Sequence, residues 1–120
     1  MRSAQLPRLP RRIFSYDEAL ETFPTVRDLT AEAVRRVEAV VRSAGGEEDP
    51  ETHQDEVERA CARIVEAWAR EVGSLGCEVK GAWLVDWDCG DGYYCWQFPE
   101  QTLAHFHTYD EGFAGRMPIN

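Results

Sequence analysis

Small and apolar residues recur at alternating steps of four and three from Ala19 through Phe23, Val26, Thr30, Ala33, Val37 and Val40 to Ala44. A second seam of the same kind runs through Val57, Cys61, Ile64, Trp68, Val72 and Leu75. That period puts every member on one face of an α-helix, so about half of the chain is committed to helix by pattern alone. Ser15-Tyr16-Asp17-Glu18 has the form of a capping box, with Phe14 placed to staple against the first turn, so the first helix is predicted to begin at Tyr16. Pro24 removes an amide inside the seam and predicts a kink or short break near Glu21 to Phe23. Gly45-Gly46 ends the first helix, Asp49-Pro50 starts the second with Asp49 as cap, and Gly76 stops it. Two helices of about 25 residues, roughly 38 Å each, joined by a short acidic loop form an antiparallel, coiled-coil-like hairpin over 16–75.

After Gly76 the period changes to alternation. Strands are expected at Trp83–Trp87, Gly92–Phe98 and Thr102–Thr108, with Cys89-Gly90-Asp91-Gly92 and Pro99-Glu100-Gln101 as turns. The fold class is therefore α+β, a helical hairpin packed on a three-stranded antiparallel meander. A slip of one residue turns every strand side chain over, so the register follows from matching apolar faces. Trp83, Val85 and Trp87 match Tyr94, Trp96 and Phe98, joined by Ala104 and Phe106. The opposite face then carries Asp86, Cys95, Gln97, His105 and His107, with Cys95 beside His105 and Asp86 beyond it. This register needs an odd-length second turn.

The 120 residues carry a net charge of -9. Arg2, Arg8, Arg11 and Arg12 all fall in the first twelve positions, so residues 1–12 read as a flexible basic arm and 13–120 as one domain, with hairpin 16–75 and sheet and tail 77–120. From Ile13 onward 9 basic residues face 22 acidic ones, a balance that opposes binding to nucleic acid and to anionic membranes. No apolar run reaches the length of a membrane span, and no apolar segment typical of a secretory signal follows the first residues. Cys61, Cys77, Cys89 and Cys95 form no CxxC pair, which fits reduced thiols in a cytoplasmic protein, with a Cys89–Cys95 bridge across the first hairpin as the minor alternative. A small meander leaves part of the hairpin seam uncovered, expected around Ala33, Val37, Val57 and Ile64. Pairing two hairpins into a four-helix homodimer would bury it.

Phe14-Ser15-Tyr16-Asp17-Glu18-Ala19 with Pro24, then Leu84-Val85-Asp86, Cys95-Trp96, and the tail Phe106-His107 through Glu111-Gly112-Phe113-Ala114-Gly115-Arg116 carry a resemblance to a bacterial family, domain of unknown function 2203. It runs from Ile13 almost to the end. The resemblance implies a long helical pair followed by a small sheet and brings no established activity, substrate or cofactor. His107, Glu111 and Arg116 match its tail motif, while Trp87-Asp88 stands where the family pattern has Phe-Pro.

The tail holds the densest set of functional side chains. His105 and His107 lie two apart on a strand, so both imidazoles project from one face with Cα atoms about 6.5–7 Å apart. With Glu111 or Asp110 from the next loop and Asp86 or Cys95 from the neighbouring strand, they could hold a divalent ion such as zinc. The structural alternative has His107 tying the tail down through Glu111 or a backbone group. Gly112 and Gly115 free amides that, with Arg116 as a fork, could hold a small anionic ligand. Alternatively they permit tight turns, with Arg116 paired to Asp110, Glu111 or Asp86. Cys95 beside His105 is a candidate nucleophile. No phosphate loop, dinucleotide fingerprint or serine elbow is present. Two expectations stand side by side: a homodimeric binding or structural module, and a metal-binding protein or metal-dependent hydrolase with His107, His105, Glu111 and Asp86 as ligands.

Overall fold

A computed structural model describes residues 12–44 and 50–119 of the chain. Most of the basic arm, the Gly45-Gly46 stop and the Asp49 cap lie outside the described residues. The elements are α1 (Tyr16–Ser43), α2 (Pro50–Ser74), β1 (Glu78–Gly81), β2 (Leu84–Asp88), β3 (Tyr93–Gln97), β4 (His105–His107), a 3₁₀ turn over Phe113–Gly115, and β5 (Met117–Pro118).

The capping box forms as the sequence requires. Ser15 Oγ accepts from the Glu18 amide at 3.1 Å, and the Glu18 carboxylate accepts from the Ser15 amide at 2.9 Å. Phe14 and Ala19 enter one hydrophobic core. The break expected near Glu21 to Phe23 does not occur, because α1 runs unbroken through Pro24. Pro24 and Leu20, whose carbonyl the proline leaves without its helical partner, are both exposed, so water can satisfy that oxygen. Val40 and Ala44 lie beside Val57, while Thr30 meets Trp68, so α1 and α2 run antiparallel. Thr30 explains the polar step in its seam. Its hydroxyl donates to the Val26 carbonyl at 2.7 Å and accepts from Trp68 Nε1 at 2.8 Å, fully buried.

The sheet has five antiparallel strands in chain order, β1-β2-β3-β4-β5, where three were expected. β1 is added before the first expected strand and β5 after the last. Trp83 is a turn residue, with φ 64, and not the start of β2. That left-handed conformation is costly for a large side chain. Its indole packs edge-on against Trp68 at 4.8 Å, which holds it there. β4 begins at His105, later than Thr102, because 98–104 is fastened by side chains. Trp96 Nε1 donates to the Glu100 carbonyl at 2.7 Å, Tyr16 Oη donates to the Leu103 carbonyl at 2.7 Å, and Leu103 is buried.

The inner face of the sheet, with Val85, Trp87 and Trp96, packs under the hairpin against Phe23, Val26 and Trp68. Phe23 meets Trp96 edge-on at 5.4 Å, and Trp87 Nε1 donates to Thr22 Oγ1 at 2.8 Å. Pairing follows the apolar-face argument: Asp86 opposes Cys95, Cys95 opposes His105, and Tyr94 opposes Phe106. Gly92 allows β4 to approach this closely, since a Cβ there would collide with the His107 carbonyl oxygen. Ala33 and Ile64, expected on an uncovered seam, are buried within the single chain. Val37, Val40, Val57 and Cys61, nearer the tip of the hairpin, are half-buried.

Candidate functional site

With Trp87 and Trp96 turned inward, alternation leaves polar side chains on the outer face of β2, β3 and β4. Asp86, Asp88, Cys95 and His107 among them are buried, and the ligand-type atoms of Asp86, Cys95 and His107 all lie within 4.8 Å of one another. These three form part of the wall of a cavity of about 410 Å³, which Lys80, Tyr109 and Glu111 also line. The acidic pair Asp110 and Glu111 lines the same cavity.

Asp86 is the centre of the arrangement. His107 Nε2 lies 2.9 Å from its Oδ2, and Lys80 Nζ donates to the same oxygen at 3.2 Å. Oδ1 is buried and accepts no hydrogen bond among the described residues. The other ring nitrogen of His107, Nδ1, lies 2.8 Å from the Thr108 carbonyl, which can only accept. Both imidazole nitrogens thus face oxygens, and one proton must lie between Nε2 and Oδ2. Burial pushes the Cys95 thiol up to about 12, the Asp86 carboxylate adds to this, and Arg116 opposes it. Cys95 is thus a protonated thiol at neutral pH, which weakens its case as a nucleophile.

His105 lies on the far side of Cys95 and outside this group of three. Its Nδ1 is buried without a partner among the described residues. Glu111 is exposed and its carboxylate lies over Gly115. Arg116 pairs with none of Asp110, Glu111 or Asp86. It makes a two-point ion pair with Glu100, at 3.0 and 2.7 Å, and its guanidinium lies 4.1 Å from the Phe113 ring centroid. The Gly115 amide donates to the Gly112 carbonyl and the Arg116 amide to that of Phe113, closing the 3₁₀ turn. The Gly115 and Arg116 amides and the Arg116 guanidinium are therefore engaged within the chain. Cys89 does not face Cys95 but sits at the first turn, where its amide donates to the Gly92 carbonyl at 2.9 Å, and all four cysteines are free.

Sequence reasoning placed Asp86, Cys95 and His107 on one face but did not single them out as a group. It missed Lys80 and Glu100. Lys80 lies on a strand too short to show alternation, and Glu100 sat in a stretch read only as a turn.

The architecture is that of an α+β protein with a helical pair on one face of an antiparallel sheet and a buried Asp–Cys–His group on the other. Residues 12–119 match the family described as uncharacterized conserved protein (DUF2203), and the chain belongs to it. No curated protein and no solved structure matches the chain. Among the described residues, no helix is long and apolar enough to cross a membrane.

Proposed function

We propose that the protein is a homodimeric binding module that takes its ligand in the cavity over β2, β3 and β4. One observation carries this reading: the Asp86 side chain is 2% exposed, yet its Oδ1 has no partner among the described residues. A buried polar atom left unpaired costs about 1–3 kcal/mol. A purely structural clasp gains nothing from that cost, whereas a site that receives a donor or a cation recovers it on binding. The acids around the cavity favour a positive ligand, and Arg116, needed for a negative one, is held by Glu100.

Dimerisation through the hairpins is supported by the helical seam itself. It continues through Val37, Val40, Val57 and Cys61, beyond the part that the chain buries, and Val41 is 54% exposed nearby. Native mass spectrometry of the purified full chain tests both halves of the reading. The expected spectrum shows dimers carrying a bound species that is lost on denaturation and in Asp86→Ala. A bare monomer, unchanged after incubation with the small-molecule fraction of a cell extract and with divalent metals, overturns it.

A further inference from the structure

We infer that the ligand of this site is a divalent transition-metal ion of the zinc class, bound by Asp86, Cys95 and His107, with its fourth position open to the cavity. The inference rests on the binding reading above and names its ligand. It departs from the histidine pair suggested by sequence, since His105 falls outside the group and Cys95 takes its place.

Four features of the chain converge on it. First, the donor set is one nitrogen, one sulfur and one oxygen, which suits zinc or cobalt better than calcium or magnesium, which favour all-oxygen shells. Second, three atoms within 4.8 Å of one another need only small side-chain rotations to meet metal bonds of about 2.0–2.3 Å. Third, the Thr108 carbonyl accepts from His107 Nδ1, at 2.8 Å, fixing the ring so that Nε2 presents its lone pair to an ion. Fourth, charge closes. A divalent cation with one carboxylate, one thiolate and a neutral imidazole sums to zero, as a buried group of this kind requires.

Binding is balanced by the loss of two protons, the thiol proton of Cys95 and the one between His107 and Asp86. The metal supplies the positive charge that the thiolate lacks in the free chain. The ion takes the unpaired Oδ1 of Asp86, while Lys80 stays beside Oδ2 and Glu78, whose carboxylate lies 3.7 Å from its ammonium. Three protein ligands and an open position leave the ion able to take a further ligand from the cavity.

The test is cobalt(II) titration of the metal-stripped full chain, followed by absorption. A thiolate–cobalt charge-transfer band in the near ultraviolet with strong visible bands of tetrahedral cobalt is expected, both abolished by excess zinc. The near-ultraviolet band should vanish in Cys95→Ser and persist in the variant with Cys61, Cys77 and Cys89 all changed to serine. Circular dichroism establishes that each variant is folded, and the wild-type spectrum decides if one is not. Absence of the band in the wild-type chain, or its survival in folded Cys95→Ser, overturns the metal site. If native mass spectrometry meanwhile shows an organic species that needs Asp86, the binding reading stands and only the metal falls.

Discussion

Lys80 and His107 approach the same oxygen of Asp86, at 3.2 and 2.9 Å, and leave the second oxygen alone. For Lys80, burial acts to lower its pKa, but the hydrogen bond and charge of Asp86 outweigh it, so the ammonium is held above its ordinary value. It is then a resident cation at a site proposed for another. Lys80→Met should tighten cobalt binding about tenfold, equivalent to ~1.4 kcal/mol, measured by competition with a chromophoric chelator. Weaker binding would mean that Lys80 positions the carboxylate and does not compete for it.

Thr30 supplies a buried hydroxyl bridge between the two helices. Thr30→Val keeps the shape but leaves Trp68 Nε1 with no acceptor, and should lower stability by about 1–3 kcal/mol. Urea unfolding followed by tryptophan fluorescence measures it. No loss would show that the indole finds another acceptor.

Glu100 titrates below its ordinary 4.5 in the folded chain. Burial pushes it up, but the Arg116 hydrogen bond, the Gln97 amide and the Arg116 charge more than offset that. A carboxylate depressed in the folded state stabilises above its unfolded value, and that contribution is lost as pH falls through the folded one. Wild type should therefore exceed Glu100→Gln in melting temperature at pH 7, with the gap closing as the pH drops below about 4.5. A gap that is constant down to pH 3 would remove the ion pair as its source.

Burial pushes both Cys77 and Cys95 up to about 12, against the opposing charges of Arg12 and Arg116 respectively. At pH 8 an alkylating reagent should label Cys61 and Cys89, which are half-exposed, well before these two, and all four after denaturation. Peptide mass spectrometry follows each site. Equal labelling of Cys95 and Cys89 in the native protein would contradict the packing around β3.

Helix boundaries were legible because their signals are local: a capping box at Ser15, a proline at position 50, a glycine at 76. The sheet register was legible because parity leaves only two choices, and one of them buries histidines among tryptophans. β1 and β5 were not. β1 is four residues with an irregular step between Val79 and Gly81, and β5 is two residues, one of them proline. Neither is long enough to display a period, and both exist only by pairing with a neighbour. The same limit hid the Glu100–Arg116 pair, which spans sixteen positions and is set by how the 98–104 turn folds back.

The strand order follows the chain without a crossover, and this determines how such a protein can drift. The side chains lining the cavity fall between Lys80 and Phe113, and neither helix supplies one. Residues inserted at the hairpin tip would lengthen α1 and α2 without moving a ligand atom. Losing a single residue within β3 would instead turn Cys95 into the core and Trp96 toward the cavity. One half of the molecule is free to change in length, while the other must keep its parity.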